Sequence, residues 1–385
     1  MLKKLFFLLV LFFPSNVFGQ IDSLLFKDLF NHFEENNYNW FGQKMDSVSW
    51  STLYKTKGFN VTISKDPIYF ETDQRIIKNP FFADDFDDYD DNYIKYPVSY
   101  STIYDNKLIS LFRNGRFVVH DLEGYSRDTK FENGLNTKKF SYHWVIDGKL
   151  YARSKNWFFS RLMVWSKGKW EKADINLPVK KKPVLFDDEK FVVFNDCFGE
   201  WGGTVYFYDR ETENIYFTES TCTNSVYNKE GNYTVLAHLG HMMGSSELKS
   251  IEEPNKLTKA KKGEVSKTKN GEALGYTDES SGYEKSLDLY GIQLFSTFTF
   301  NERQIYLTYL NELTFLSEIQ DSLIQIVHPL FDNDLYAHDP VTKIYGNYTL
   351  INLDHWGKAR DREVSVIIIK QNKITKLDWN ERHSE

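Results

Sequence analysis

A chain of 385 residues that is 41% apolar and 17% aromatic, with a formal charge of −7, can bury a large core. It lacks the positive excess expected of a protein working chiefly on nucleic acid or an anionic membrane. Its 24 Tyr and 31 Phe suit pleated, half-buried surfaces, so the composition argues for an all-β protein and against a helical one.

In chain order, Met1 to Gly19 opens with Lys3 and Lys4, continues as the apolar run Leu5 to Phe13 and ends in Val17, Phe18 and Gly19. This pattern predicts a secretory signal over residues 1–19, with Gln20 as the mature N-terminus. Losing the two lysines takes the formal charge from −7 to −9. The apolar run is too short to span a bilayer, and no cysteine lies near the cleavage point for lipid attachment. The expected product is soluble, periplasmic or secreted, with no membrane insertion and no nucleic-acid partner.

Ile21 to Asn37 places Leu24, Leu25, Phe26, Leu29, Phe30 and Phe33 at helical spacing, which predicts a short amphipathic helix. Strand-like "FNVTI" and "PIYFET" follow within residues 51–97. The acidic run Ala83 to Tyr93 reads as a solvated loop. It lacks the glycine and terminal glutamate of a calcium-binding EF-hand loop, so no metal is assigned to it.

From Ser101 onward a pattern recurs: a short apolar strand, a tight polar turn, a second strand, a variable loop, then a third and often a fourth strand. The units begin at Ser101, His143, Pro183, Asn224, Leu294 and Lys343. Turns at Asp105-Asn106, Asp147-Gly148, Lys167-Gly168 and Asn228 to Gly231 carry the residues that hairpins require. Such spacing predicts four-stranded antiparallel blades. Residues 98–385 are therefore expected to form a six- or seven-bladed β-propeller. Residues 20–97 supply a helix and strands, as an extra blade or the strand that closes the ring. The lysine-rich stretch 252–282 reads as a polar, mobile excursion from the fourth repeat.

Two stretches, "VIDGKLYARS" from Val145 and "FDDEKFVVFND" from Phe186, resemble the six-bladed propellers of the NHL and YWTD kind. In those, an innermost strand ends at an Asp-rich turn and a "GxLYVAD"-like strand follows. The Tyr-Trp-Thr-Asp tetrad and the Asn-His-Arg residues diagnostic of these families are absent, so the resemblance implies a fold and no function. A pair of β-sandwiches is the alternative fold.

If the strands of a blade are named A to D from the axis outward, their alternation puts B–C loops and D-to-A connections on one face. Cys197 and Cys222, the two cysteines of the chain, both fall there. An exported protein can oxidise them, so a disulfide stapling the third repeat's B–C loop is expected. The same face collects Arg113 and Arg116, Trp157 and Arg161, Asp196, Glu200 and Trp201, His238, His241, Met242 and Met243, Asn311 and Glu312, and finally Asp354, His355, Trp356, Arg360 and Arg362. Opposite, the A–B turns are short and ordinary.

Trp201, His241 and Trp356 are the expected ligand contacts, with Glu200, Arg161 and Arg360 orienting polar groups. The tryptophans could equally cap blade edges. His238, His241, His355 and Asp354 contain metal-binding atoms, but "HLGH" lacks a helix to orient them. Glu200 and Asp354 could serve as acid and base for glycoside cleavage if they met across a cavity. With no phosphate loop and no "GxSxG" turn, the chain reads as an exported, non-catalytic propeller binding a protein, peptide or glycan. A carbohydrate-active enzyme is the alternative, and no cofactor, metal or catalytic residue is assigned.

Overall fold

The structure, a computed structural model, describes residues 24–38, 44–45, 48–81, 96–155, 160–175, 177–241, 244–261, 263–266, 274–275, 282–331, 335–354 and 364–379. The expected signal segment lies outside them.

Hairpin turns set the architecture. Asp105 and Asn106 have φ of 51° and 54°, Asp147 and Gly148 51° and 65°, and Lys167 and Gly168 48° and 77°. Positive φ at both central residues gives the turn whose twist matches that of paired strands, and Asp, Asn and Gly tolerate it best. Asn301-Glu302 and Asn311-Glu312 adopt the same conformation with a less suited second residue.

Helix α1 (Lys27–Glu35) and strands β1 (Tyr54–Lys55), β2 (Asn60–Ile63) and β3 (Glu71–Ile77) precede the ring. Blade 1 contains β4 (Thr102–Tyr104), β5 (Lys107–Leu111) and β6 (Phe117–Asp121), followed by helix α2 (Thr129–Leu135). Blade 2 is β7 (Phe140–Ile146), β8 (Lys149–Ser154), β9 (Leu162–Ser166) and β10 (Lys169–Lys172). Blade 3 is β11 (Val184–Asp187), β12 (Phe191–Cys197), β13 (Gly203–Asp209) and β14 (Ile215–Glu219). Blade 4 is β15 (Thr223–Lys229), β16 (Asn232–Leu239) and β17 (Ser245–Ile251), then β18 (Thr258–Lys259) within the excursion and β19 (Glu284–Tyr290) as its D strand. Blade 5 is β20 (Gln293–Phe300), β21 (Arg303–Leu310), β22 (Leu313–Gln320) and β23 (Leu323–Pro329). Blade 6 is β24 (Val341–Tyr345), β25 (Tyr348–Asn352), β26 (Ser365–Lys370) and β27 (Lys373–Trp379).

These six sheets form one propeller rather than paired sandwiches, because the apolar core divides into six seams, one between each pair of neighbouring blades. Alternation within a strand serves two seams at once. Along β12, Val192 and Phe194 pack toward blade 2, while Phe191 and Val193 pack toward blade 4. Strands buried on both faces read as continuous apolar runs, and "FVVF" is one.

The N-terminal strands edge the ring from outside. Strand β2 pairs parallel with β23 of blade 5, and β3 pairs parallel with β27 of blade 6. Blade 6 then meets blade 1 without sharing a strand. Asn352 accepts from the Ser101 amide at 2.8 Å and donates to its carbonyl at 3.2 Å, and Arg75 of β3 donates to the Gly124 carbonyl of blade 1 at 3.2 Å. Blade 1 has three strands among the described residues; a single antiparallel bridge of His120 with Arg127 borders β6, and helix α2 follows, its N-terminus capped by Asp128, which accepts from the Phe131 amide at 2.9 Å.

The polar excursion is not wholly free of the ring. Strand β18 pairs with β14 of blade 3, Leu257 and Val265 are buried, and the Gly275 amide donates to Thr204 Oγ1 at 2.8 Å. A few apolar side chains spaced through the lysine-rich stretch are enough to anchor it.

Candidate functional site

The B–C loop of blade 3 is held at its base on several sides. Strand β12 ends in Cys197, which is bonded to Cys222 in the connection to blade 4, with Cα atoms 4.4 Å apart and the partners 25 positions apart in sequence. Asp196 accepts from Lys182 Nζ at 2.5 Å and from the Tyr206 hydroxyl at 2.8 Å. At Gly203, a Cβ would lie 2.5 Å from the Ser220 carbonyl and 2.7 Å from the Cys222 nitrogen, so only glycine lets the connection pass this closely.

Between these anchors the loop closes on itself, with Phe198 N donating to Gly202 O at 2.9 Å. Gly199 and Gly202 take φ of 61° and 85°, and Gly199–Trp201 forms one 3₁₀ turn. The turn points Trp201 outward, 58% exposed. Its neighbour Glu200 meets His241 of the blade 4 loop, Oε2 to Nδ1, at 3.5 Å, with both side chains about half exposed.

Glu200, Trp201 and His241 are thus brought together at the junction of blades 3 and 4. Arg161 is exposed on the blade 2 loop. Trp157, Met242, Met243, His355, Trp356, Arg360 and Arg362 lie outside the described residues. Asn311 and Glu312 form a two-residue turn, and the Asn311 carbonyl is 2.7 Å from His32 Nε2 of α1, so helix α1 contacts this loop.

His238 belongs to the core. It is 1% exposed, lies 3.1 Å from Asn224 Nδ2 through Nδ1 and packs edge-on against Phe295. Burial pushes its pKa down to about 3. Asp354 is also buried. Among the described residues, the single group of three with metal-ligand proximity is Cys197, Cys222 and Asp339, and its two sulfurs are bonded to each other.

Long-range hydrogen bonds tie the blades together at both ends of the ring. On the B–C face, the connection from blade 5 to blade 6 reaches across to other blades: the Tyr336 hydroxyl donates to the Gly240 carbonyl of blade 4 at 2.7 Å, and Tyr100 donates to the Asp339 carbonyl at 2.8 Å. At the other end Lys343 donates to the Val145 carbonyl at 2.7 Å and to Asp187. Asp187 accepts from the Asp147 amide at 2.7 Å, and Arg210 grips the Asp147 carboxylate at 2.7 and 2.8 Å. Two cavities lined by inner strands measure about 10 and 20 Å³, room for a water molecule and not for a sugar ring. Neither Glu200 nor Asp354 lines them.

Two positioning residues escaped the sequence analysis. Asn195 donates to the Thr223 carbonyl at 2.6 Å, and Asn352 plays the equivalent part at the seam between blades 6 and 1. Asn195 lies two residues before the end of its B strand and Asn352 ends its own; each locks its strand to the next blade, and their shared sequence signal is an Asn shortly before Asp196 or Asp354 in "FND" and "INLD".

No family model matches the chain, and a search of curated proteins finds no match. Similar solved structures include the tricorn protease, with a TM-score of 0.40 and 12% identity, covering 74% of this chain and 26% of that one. The N-terminal domain of Nup159 has a TM-score of 0.35 and 8% identity, covering 81% and 86%. BamB from Moraxella catarrhalis has a TM-score of 0.31 and 8% identity, covering 75% and 84%. The chain spans about a quarter of the length of the tricorn protease. Likeness at this level says nothing of this chain's ligand or chemistry.

Proposed function

We propose that the protein is an exported, non-catalytic binding propeller that holds a protein, peptide or glycan segment on its B–C face, centred on blades 3 and 4. The observation that carries this reading is Trp201, 58% exposed on a loop fixed by a disulfide and by the Lys182–Asp196–Tyr206 contacts. A large aromatic face offered to solvent from a rigid loop supplies apolar contact area at little entropic cost. Glu200 and His241 beside it, and Arg161 on the neighbouring blade, supply hydrogen bonds that orient a polar ligand. The disulfide and the N-terminal signal pattern both support an oxidising, extracytoplasmic setting.

The enzyme reading needs two carboxylates facing each other across a substrate cleft. Glu200 is half exposed and Asp354 is buried, which favours binding over cleavage. The test is a screen of wild type and Trp201→Ala against glycan and peptide arrays. Any ligand of the wild type is expected to lose at least about tenfold in affinity in the variant, as for removal of a central aromatic contact, while the circular dichroism spectrum is unchanged. Equal binding by both proteins would place the site elsewhere.

A further inference from the structure

The chain is acidic as a whole, yet the described residues of three stretches that blades 1 and 2 send to the B–C face include no Asp or Glu. Residues 112–116 carry Arg113 and Arg116, residues 136–139 carry Lys138 and Lys139, and residues 155–161 carry Lys155 and Arg161. All six cationic side chains are exposed.

Backbone contacts gather these segments into one strip. The Gly115 carbonyl accepts from the Phe140 amide at 2.9 Å, and the Lys139 carbonyl accepts from the Lys155 amide at 2.8 Å. Lys155 Nζ donates to the Arg113 carbonyl at 2.8 Å. A Cβ on Gly115 would stand 3.0 Å from that of Lys139. Arg161 joins through Ser154, whose Oγ accepts its amide at 3.0 Å. Arg116, Lys138, Lys139, Lys155 and Arg161 form no ion pair among the described residues.

Charges farther away than about 8 Å are screened at physiological salt, so a ligand touching this strip meets its six cations rather than the net charge. The strip has no buried cation and no converging pocket, so a single small anion has no cradle. A polymer bearing one charge per repeat can engage such groups in a line. The next loop round the ring is that of blade 3, where the Trp201 ring offers a face to a sugar.

We infer that blades 1 and 2 carry a docking strip for an acidic polysaccharide, with uronate or sulfate groups on the cations and a sugar ring reaching Trp201. This rests on the proposed binding role of the B–C face and names the ligand class. The test measures retention of the full chain on polygalacturonate, dextran sulfate, neutral dextran and phosphatidylglycerol vesicles as salt is raised. The variants are Arg116→Glu/Lys138→Glu/Lys139→Glu, the opposite-face control Lys167→Glu/Lys169→Glu, and Trp201→Ala.

Wild type and control should bind both acidic polymers and not neutral dextran. The triple variant should bind them more than about tenfold more weakly at low salt, with the gap closing toward about 0.5 M as screening grows. Equal loss in the opposite-face control, no loss in the triple variant, or binding to vesicles alone would overturn the inference. Loss in Trp201→Ala without loss in the triple variant would leave the platform standing and remove the strip. The reverse pattern would keep the strip and remove the platform.

Discussion

Replacing both cysteines, Cys197→Ser and Cys222→Ser, tests whether the disulfide is the staple of the blade 3 loop. The two residues are 25 apart in sequence, and opening a loop of that size returns about 3.5 kcal/mol of chain entropy to the unfolded state at 25 °C. The folded state should change little, because Asp196 keeps its bonds to Lys182 and Tyr206. The double variant also leaves no unpaired thiol to form mixed disulfides. Urea unfolding of oxidised wild type and the double variant should therefore differ by about 3 to 4 kcal/mol in stability, with native spectra superimposable. Non-reduced mass spectrometry of the wild type should find no free thiol. A stability difference under about 0.5 kcal/mol, the size of an ordinary surface substitution, would show that the disulfide is not the staple and assign the loop's order to packing alone.

At the opposite end of the axis, Lys343→Met should cost about 3 to 5 kcal/mol by leaving the Asp187 carboxylate beside it uncompensated. Adding Asp187→Leu should recover a large part of that, and a double variant no better than the single one would contradict the pairing. Acid should destabilise the fold through its buried histidines. Burial holds His120, His143 and His328 down to about 4 and His238 to about 3, from an ordinary 6.5. The unfolded chain then takes up protons first as pH falls below about 6.5, so stability is full above that pH and declines toward about pH 4. Each ring contributes roughly 1.4 kcal/mol per pH unit inside the window, and the four together about 5.5 per pH unit. A urea midpoint that stays flat between pH 7 and pH 5 would contradict this.

The blades were legible because two local signals agree. Asp105-Asn106 and Asp147-Gly148 suit turns with positive φ at both central positions, and the apolar runs between such turns are strand-length. Helix α1 was legible from the spacing of Leu29 and Phe33, which are both buried. The passage of blade 1 from β6 into helix α2 was not, since the Asp128 cap that starts α2 looks locally like any polar turn. The parallel attachment of β2 and β3 depends on which outer edges the ring leaves open, a long-range matter that neither strand's own residues encode. The same holds for the blade 5 to blade 6 connection, whose Tyr336 and Asp339 meet partners about a hundred or more residues away in the chain. At the site, the one-face grouping of Glu200, Trp201 and His241 follows from strand alternation. The burial of His238 does not, because strand β16 runs on to Leu239 and takes that residue into the blade, and neither does the burial of Asp354 just past β25.

Hydrogen exchange of the full chain, with and without a ligand recovered from the arrays, is the most direct measurement of which face binds. Exchange is expected to slow in residues 198–202 and at 240–241 on the B–C face, with the turns at 147–148 and 167–168 on the other face unchanged. Protection confined to those opposite turns would contradict it.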